Sequence, residues 1–254
     1  MHNVISPAVE YSGVTASPRI SWREAILLAT YHIRLLNWWL FLLMALGFVG
    51  SCGVFWLTAH TATLVALGRG NELNRFVLES GAGLVASTLT SFLVVGDPML
   101  EVMMTTRTGI YKVLAWRYLL TLMFLLIFSA TYLAWSLWYG TTYTSHQTIL
   151  FILFTWLAPV LIMSMLGLLG ALTTRNATLG AVIAALPLMA DLFLHDDLLP
   201  IALCRPFIIP FTIWEHDSSD WWLNRFVLLG CGLALALCCW WWLRREERLL
   251  GNLR

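Results

Sequence analysis

Long apolar runs separated by short polar stretches set the pattern of this chain. A helix rises about 1.5 Å per residue, so about 20 apolar residues cross the roughly 30 Å hydrocarbon layer of a bilayer. Six runs reach or approach that length, and the fifth is short and contains Pro187 and Asp191. The runs cover residues 38–59, 76–96, 116–139, 148–172, 177–194 and 222–243. This pattern predicts an all-α integral membrane protein with six transmembrane helices.

A different pattern precedes the first run. Within residues 20–37, Arg23, Arg34 and Asn37 fall at helical spacing along one side, and apolar residues fill most of the rest. This arrangement is typical of an amphipathic helix that lies in the membrane interface and leads into a span. A polar leader that runs directly into a long first span is the simpler alternative. We expect an N-terminal amphipathic elbow helix after a cytoplasmic segment, residues 1–19.

The connection between the fifth and sixth runs is also unusual. Residues 198–213 are mostly apolar, yet they are too few to cross a bilayer and return as helices, and they include Pro200, Pro206 and Pro210. Non-helical backbone persists at membrane depth only where protein covers it or where it faces a water-filled cavity. The segment therefore predicts an outer re-entrant hairpin between spans five and six.

The composition strengthens the membrane interpretation. Apolar residues make up 59% of the 254 residues and charged residues 11%, and the mean hydropathy is +0.78. A soluble domain needs more charge to cover its surface. The net charge of +1 argues against a nucleic-acid partner, because nothing here neutralises a run of phosphates. Six spans with short loops form a single transmembrane domain, residues 20–243, followed by a basic tail, residues 244–254.

The positions of lysine and arginine predict the orientation in the membrane. If both termini are cytoplasmic, eleven of the 15 basic residues lie on the inner side. The four on the outer side are Arg69, Arg75, Arg205 and Arg225. Cytoplasmic loops carry the excess of positive charge in membrane proteins. The bias predicts a multi-pass protein of a bacterial-type cytoplasmic membrane with both termini inside.

Residues suited to catalysis are scarce. The chain has one lysine, Lys112, and its neighbours do not fit the phosphate-binding loop G-x-x-x-x-G-K-[ST]. We therefore expect no nucleotide site, no cofactor and no catalytic residue in this chain. Two acids, Glu79 and Asp191, fall inside predicted spans, where a charge is costly and often functional. We favour the simpler interpretation that each side chain reaches the nearby headgroup region.

The second run carries a stripe of small and polar residues. Ser80, Gly83, Ser87 and Ser91 recur at three- and four-residue steps, with Thr88 beside them. Close packing of helices is the favoured interpretation, and a substrate path at a subunit interface is the alternative. A path would include Glu79, Ser80, Ser87, Thr88 and Ser91. Packing is the only interpretation for Gly167, Ala171, Gly180 and Ala184 in the fourth and fifth runs.

Histidines and acids gather in the predicted outer loops. His195 precedes Asp196 and Asp197, and His216 precedes Asp217. Such residues can bind a hard metal ion, but their spacing fits no recognised metal signature. We interpret them as solvated loop residues and expect no metal site. A membrane enzyme that uses these side chains is an alternative function.

The inner loop, residues 97–117, carries the most specific pattern. The sequence GDPMLEVMMTTRTGIYKVLAWRYLL resembles the coupling segment in the membrane subunits of type 2 ABC exporters. That family has an elbow helix, six spans, both ends inside and re-entrant helices between spans five and six. In place of the usual proline after the turn stands the pair Thr108 and Gly109. The resemblance implies that the residues contacting the ATPase are Asp97, Glu101, Thr105, Thr106 and Arg107.

The resemblance also implies a function and a set of partners. It implies the permease of an ATP-driven exporter that moves a hydrophobic or amphipathic substrate outward: a lipid, drug, peptide or glycan precursor. Two separate ATPase subunits would bind ATP and Mg²⁺, and a second copy or a sister permease would complete the complex among membrane lipids. The segment LLGALTTRNATLGAVIAALPL resembles haem-export permeases of cytochrome maturation, a related alternative. A scaffold without transport is a further one.

Overall fold

All regular structure in the described part of the chain is helical. The structure, a computed structural model, describes residues 69–94, 110–138, 149–215 and 217–251, with isolated positions between 42 and 57. Within these residues no strand occurs. The elbow segment, residues 20–37, and the coupling residues 97–109 lie outside them.

Three helices are long and apolar enough to cross a membrane. Helices α3 (Ile110–Trp138), α4 (Ile149–Thr174) and α8 (Trp221–Gly251) contain the candidate spans Leu114–Trp138, Ile149–Thr174 and Trp221–Arg244. Helix α5 (Ala177–Phe193) is apolar but shorter, with 17 residues. These helices are consistent with an integral membrane protein, and the count of six spans stays a prediction.

The second apolar run forms one continuous helical stretch with an unusual middle. It begins with α1 (Arg69–Phe76), passes through a π-helical turn (Val77–Gly81) and ends with α2 (Ala82–Ser91). The helical stretch therefore begins before the predicted run 76–96, and α2 ends inside that run. The polar first turns escaped a search for apolar runs, because Asn74 and Arg75 are buried in the protein rather than exposed to lipid.

Helix α4 lies at the centre of the bundle and packs against α2, α5 and α8. Its Gly167 faces the backbone of Ser87 in α2, and its Ala171 faces Gly180 in α5. The second contact is so close that a Cβ atom on Gly180 would lie 2.6 Å from the Ala171 nitrogen. Helices approach this closely in membranes when small residues line the contact. The packing interpretation of these small residues, together with the fully buried Ala184, is confirmed.

Replacing Gly180 with valine should therefore separate α4 from α5. The new Cβ meets backbone atoms, which cannot rotate away as a side chain does, so we expect a loss of about 1–3 kcal/mol. Thermal unfolding in detergent, followed by tryptophan fluorescence, measures the effect. Gly230→Val is the matched control, because a Cβ there has no atom within 4 Å. Equal melting temperatures for the two variants would contradict the proposed contact.

The turn between α4 and α5 is short and locally stabilised. Arg175 has a φ of 53°, in the left-handed region that ends many helices. Asn176 then caps α5, and its Oδ1 accepts hydrogen bonds from the Thr178 and Leu179 nitrogens at 2.9 and 3.2 Å. The two helices are thus held as an antiparallel pair.

A segment of turns and short helices joins α5 to α8, and we call it the cap segment, residues 195–220. It contains α6 (His195–Leu198), a 3₁₀ turn (Arg205–Phe207) and α7 (Phe211–Trp214). Its buried residues Ile208 and Phe211 pack with Phe151 of α4 and with Trp221. An irregular connection at this place agrees with the proline pattern, while re-entry into a membrane stays a prediction.

Candidate functional site

The most unusual feature of the interior is a fully buried ion pair. Arg225 Nη2 of α8 donates to Glu79 Oε1 of the π-helical turn, and both side chains are 0% exposed. The two residues are 146 positions apart, so the contact exists only in the folded bundle. Charges are placed inside a protein of this kind only at a large desolvation cost.

The cap segment supplies a third member of the network. Thr212 donates its backbone N–H to Glu79 Oε1 at 3.2 Å, and its hydroxyl oxygen accepts a bond from Arg225 Nη2. The same hydroxyl accepts a bond from Trp221 Nε1 at 3.0 Å. Glu79, Thr212 and Arg225 therefore join three separate parts of the chain at one point.

Aromatic packing encloses the pair. The Arg225 guanidinium lies 5.4 Å from the centre of the Trp221 ring, a cation–π distance. Trp221 in turn stacks on Phe151 of α4, with ring centres 3.5 Å apart. Trp221 is 1% exposed and Phe151 7%. The enclosure strengthens every charge interaction inside it, because effective dielectric constants are low where water is excluded.

The π-helical turn positions Glu79. Within it the Ala82 nitrogen bonds to the Val77 oxygen, and three successive side chains, Leu78, Glu79 and Ser80, are buried. Single π-turns inside α-helices are rare and occur often at functional sites, since a regular α-helix makes better backbone hydrogen bonds. The irregular turn therefore coincides with Glu79, an acid that binds a buried arginine.

Other side chains hold the irregular backbone of the cap segment. Asn224 of α8 donates to the Arg205 and Ile208 oxygens at 2.9 and 2.8 Å, and Asp191 of α5 accepts from the Ile209 nitrogen at 2.8 Å. Backbone groups that lack helical partners must be satisfied in this way when they are buried. The cap segment is thus bound to α5, α8 and the π-helical turn.

Some polar atoms of the network remain without partners. Within the described residues, Glu79 Oε2, Arg225 Nε and Asn224 Oδ1 are buried and make no hydrogen bond. A buried polar atom left unsatisfied costs about 1–3 kcal/mol. The site is therefore less stable than a fully satisfied network, as is common where a structure has a role beyond packing.

The residues of the predicted path separate into two groups. Glu79 belongs to the ion-pair network, whereas the hydroxyls of Ser87, Thr88 and Ser91 donate to carbonyls of their own helix at 2.7–2.9 Å. Ser87 and Ser91 face Gly167 of α4 inside this chain. Ser80 is buried next to Glu79. Their role as a path at a subunit interface stays a prediction.

One interpretation of a charged residue was wrong. Glu79 does not reach the headgroup region but is buried, about ten residues after the start of its helical stretch at Arg69. Arg225, which was counted on the outer side, lies inside α8, as the run 222–243 predicts. Asp191 is half-buried and accepts a hydrogen bond from the Ile209 nitrogen, and its contact with headgroups stays a prediction. A signal for Arg225 exists in its position, since it follows Trp221 by four residues on the same helical face.

Three further polar residues of the site gave no signal in the sequence. Thr212 and Asn224 are fully buried in the network, and Asn74 accepts a bond from the Tyr132 hydroxyl at 2.6 Å. Each binds a group that is distant in sequence. Their function follows from the tertiary contacts and not from spacing.

The outer histidine cluster does not form a metal centre in the described residues. His195 stacks on Trp214 with ring centres 4.8 Å apart, and its Nε2 lies 3.2 Å from Asp196 Oδ1. In the part of the chain with assigned structure, no three metal-ligating side chains gather. His216 lies outside that part.

Comparisons with protein-family models, with curated proteins and with solved structures found no match to this chain.

Proposed function

We propose that this chain is the membrane-spanning subunit of an ATP-driven exporter of the type 2 ABC family. The observation that carries the proposal is the buried pair Glu79–Arg225, which joins the second apolar run to the last long helix and to the cap segment. Ionisable residues inside a membrane bundle are costly, pair with one another, and mark substrate and ion pathways.

The cap segment supports the same proposal by its place in the chain. It connects the fifth and sixth apolar runs, where the family carries its outer re-entrant helices, and side chains of the neighbouring helices bind its irregular backbone. We propose that residues 198–213 form the outer re-entrant hairpin. The elbow, residues 20–37, and six spans in a cytoplasmic membrane, with both termini inside, complete the proposed architecture.

The proposed energy source is a separate pair of ATPase subunits that bind ATP and Mg²⁺. They would dock on the loop 97–117, with contacts from the residues that the family pattern assigns to docking. A second copy of this chain, or a sister permease, would complete the translocation unit. The docking residues are Asp97, Glu101, Thr105, Thr106 and Arg107.

In this mechanism ATP binding draws the ATPases together and pushes on the coupling loop. The long helices rock and open a path between the two permeases for a hydrophobic or amphipathic substrate that moves outward. Coupling of this kind requires two global states that ATP and substrate favour to different degrees. The contact of Glu79 and Arg225 with Thr212 closes the cap segment onto the bundle in one state, and its separation accompanies the other. The unsatisfied Glu79 Oε2 and Arg225 Nε lower the cost of that separation.

Affinity purification of the tagged protein in mild detergent tests the proposal. We expect a soluble ATPase to co-elute in stoichiometric amount, and the double variant Glu101→Ala/Arg107→Ala to lose coupling between ATP hydrolysis and transport. Mass spectrometry identifies the partner, and substrate-stimulated hydrolysis measures the coupling. A matched control is Arg244→Ala, which removes an exposed basic residue of α8 outside the coupling loop and the cap segment.

Two results would argue against the proposal. One is a chain that elutes alone under several gentle conditions, which would favour a scaffold or an enzyme. The other is unchanged substrate-stimulated hydrolysis in the double variant. For the enzyme alternative, retained function after alanine replacement of His195, Asp196 and His216 would exclude it.

A further inference from the structure

A largely apolar cavity of about 240 Å³ lies beside the π-helical turn, on a different side from the ion pair. Its walls come from the π-helical turn and α2, from α3 and from Gly47 of the first apolar run. The wall residues include Phe76, Gly81, Ala82, Leu125, Phe128 and Tyr132.

The cavity is at the depth of hydrocarbon if α3 crosses a membrane. Leu125, Phe128 and Ser129 lie in the central third of the candidate span Leu114–Trp138. On the same helix, Leu119 and Ile127 are 49% and 57% exposed, so the helix surface around the cavity is apolar. Lipid tails are the medium that surrounds such a surface.

Water is a poor occupant of this cavity. A bound water needs two to four polar partners, and the described residues of the wall offer few. The Tyr132 hydroxyl already donates to Asn74 Oδ1 at 2.6 Å. Among the described wall residues, Ser129 carries the other hydroxyl. A hydrocarbon suits the walls, and an apolar cavity of about 150 Å³ already holds benzene.

We propose that this cavity binds one acyl chain of a bilayer phospholipid. The occupant is a phospholipid because the cavity lies beside the central third of a candidate span whose exposed residues are apolar, and acyl chains are the most abundant apolar groups at that depth of a bilayer. The bound chain would contact Val77, Leu78 and Gly81, so it would support the turn that carries Glu79. This inference does not depend on the proposed exporter function.

Photolabelling in nanodiscs tests the site. The full chain is reconstituted in phosphatidylcholine with a small fraction that carries a diazirine in one acyl chain, and labelled peptides are identified by mass spectrometry. We expect more label on residues 76–85 and 125–132 than on the lipid-exposed face of α8 around Leu233 and Leu237, which are 64% and 65% exposed. A chain held in a cavity stays near its walls longer than a chain in the free bilayer.

Gly81→Phe should lower that labelling to the level of the α8 face. A Cβ at Gly81 would lie 4.0 Å from its nearest neighbours, so a larger side chain has room to enter the cavity. Ala82→Leu fills the same space and serves as a second variant if the first does not fold. Gly230→Phe is the matched control, since its surroundings are open, and it should leave the labelling unchanged.

Three results would overturn the proposal. They are wild-type labelling of the two segments no higher than that of α8, equal labelling in wild type and in a folded cavity-filling variant, and an equal loss in the Gly230→Phe control. Monodisperse elution and tryptophan fluorescence establish that each variant is folded. The measurement needs no ATPase, so its failure and a failure of the exporter proposal are distinguishable.

Discussion

Arg225→Met is expected to destabilise the folded protein by about 3–5 kcal/mol, because it leaves the Glu79 carboxylate buried without its counter-charge. Glu79 would keep only the Thr212 N–H, and Thr212 would lose one of the two donors to its hydroxyl. Thermal unfolding of the purified protein in detergent measures the loss. A decrease of roughly 10 °C in the melting temperature would correspond to this free energy.

The double variant Glu79→Met/Arg225→Met distinguishes two costs. One is the cost of leaving one buried charge unpaired, and the other is the cost of removing the whole ion pair. Replacing both members of a buried pair by apolar residues of similar length is often neutral or stabilising. The buried Thr212 N–H also loses its acceptor, so we expect this variant to melt slightly below the wild type but well above Arg225→Met. Asp220→Asn is a second control, because it breaks the partly exposed Arg205–Asp220 pair, with its 3.1 Å separation, and exposed pairs contribute at most about 1 kcal/mol.

The same variants distinguish a structural from a functional role of the pair. If the double variant folds and transports substrate like the wild type, the pair contributes to packing alone and the closing role assigned to it is wrong. If it folds but transports poorly, the charges act in the conformational cycle. A single Arg225→Met variant as stable as the wild type would contradict the buried contact itself.

The long helices were predictable because lipid-facing and core-facing residues in them are alike. Helices α4 and α5 begin and end within two residues of the predicted runs 148–172 and 177–194. Their sequences are apolar on every side, so no knowledge of the packing was required to place them. For helices of this kind, the length and the apolar composition of the segment are what predict the helix.

The second apolar run shows where this reasoning fails. Its helical stretch starts at Arg69, because Asn74 and Arg75 are buried among protein groups and not among lipids. An apolar-run criterion assumes that a polar residue marks the end of a span. That assumption holds for residues that face lipid and fails for residues that face the interior of a bundle.

The sequence indicated one of the two charged residues of the candidate site, Glu79, but not its partner. Glu79 was recognised as an acid inside an apolar run, but Arg225 was counted only as an outer-side charge at the start of the sixth run, where two tryptophans mark an interface, and not as its partner. Which acid meets which base depends on the relative depth and rotation of two helices. A single sequence does not contain that relation, since helix ends alone do not fix it.

The polar side chains that hold the cap segment could not be predicted from the sequence, for a related reason. Asn224 and Thr212 bind backbone groups and charged side chains that lie far away in the chain. Every residue has a backbone carbonyl, so no spacing in the sequence indicates which carbonyl a side chain binds. Only the proline-rich composition of the segment indicated that its backbone groups would need hydrogen bonds from side chains.

Asn224→Leu is expected to release the cap segment from α8. Leucine preserves the volume but donates no hydrogen bond. The Ile208 oxygen then loses its side-chain donor, at about 1–3 kcal/mol for a buried acceptor left unpaired, while the Arg205 oxygen keeps its bond from the Ile208 nitrogen. Hydrogen–deuterium exchange should rise in residues 205–215, and the melting temperature should fall.

Asn176→Ala is the matched control for Asn224→Leu. Asn176 is exposed and caps α5, so its loss should cost about 1 kcal/mol and leave exchange in the cap segment unchanged. Unaltered exchange in Asn224→Leu would show that the remaining contacts, the Glu79–Arg225–Thr212 network and the bond from the Ile209 nitrogen to Asp191, hold the cap segment without Asn224. Raised exchange there with normal exchange in α8 would identify the cap segment as a unit that opens by itself, as the proposed transport cycle requires.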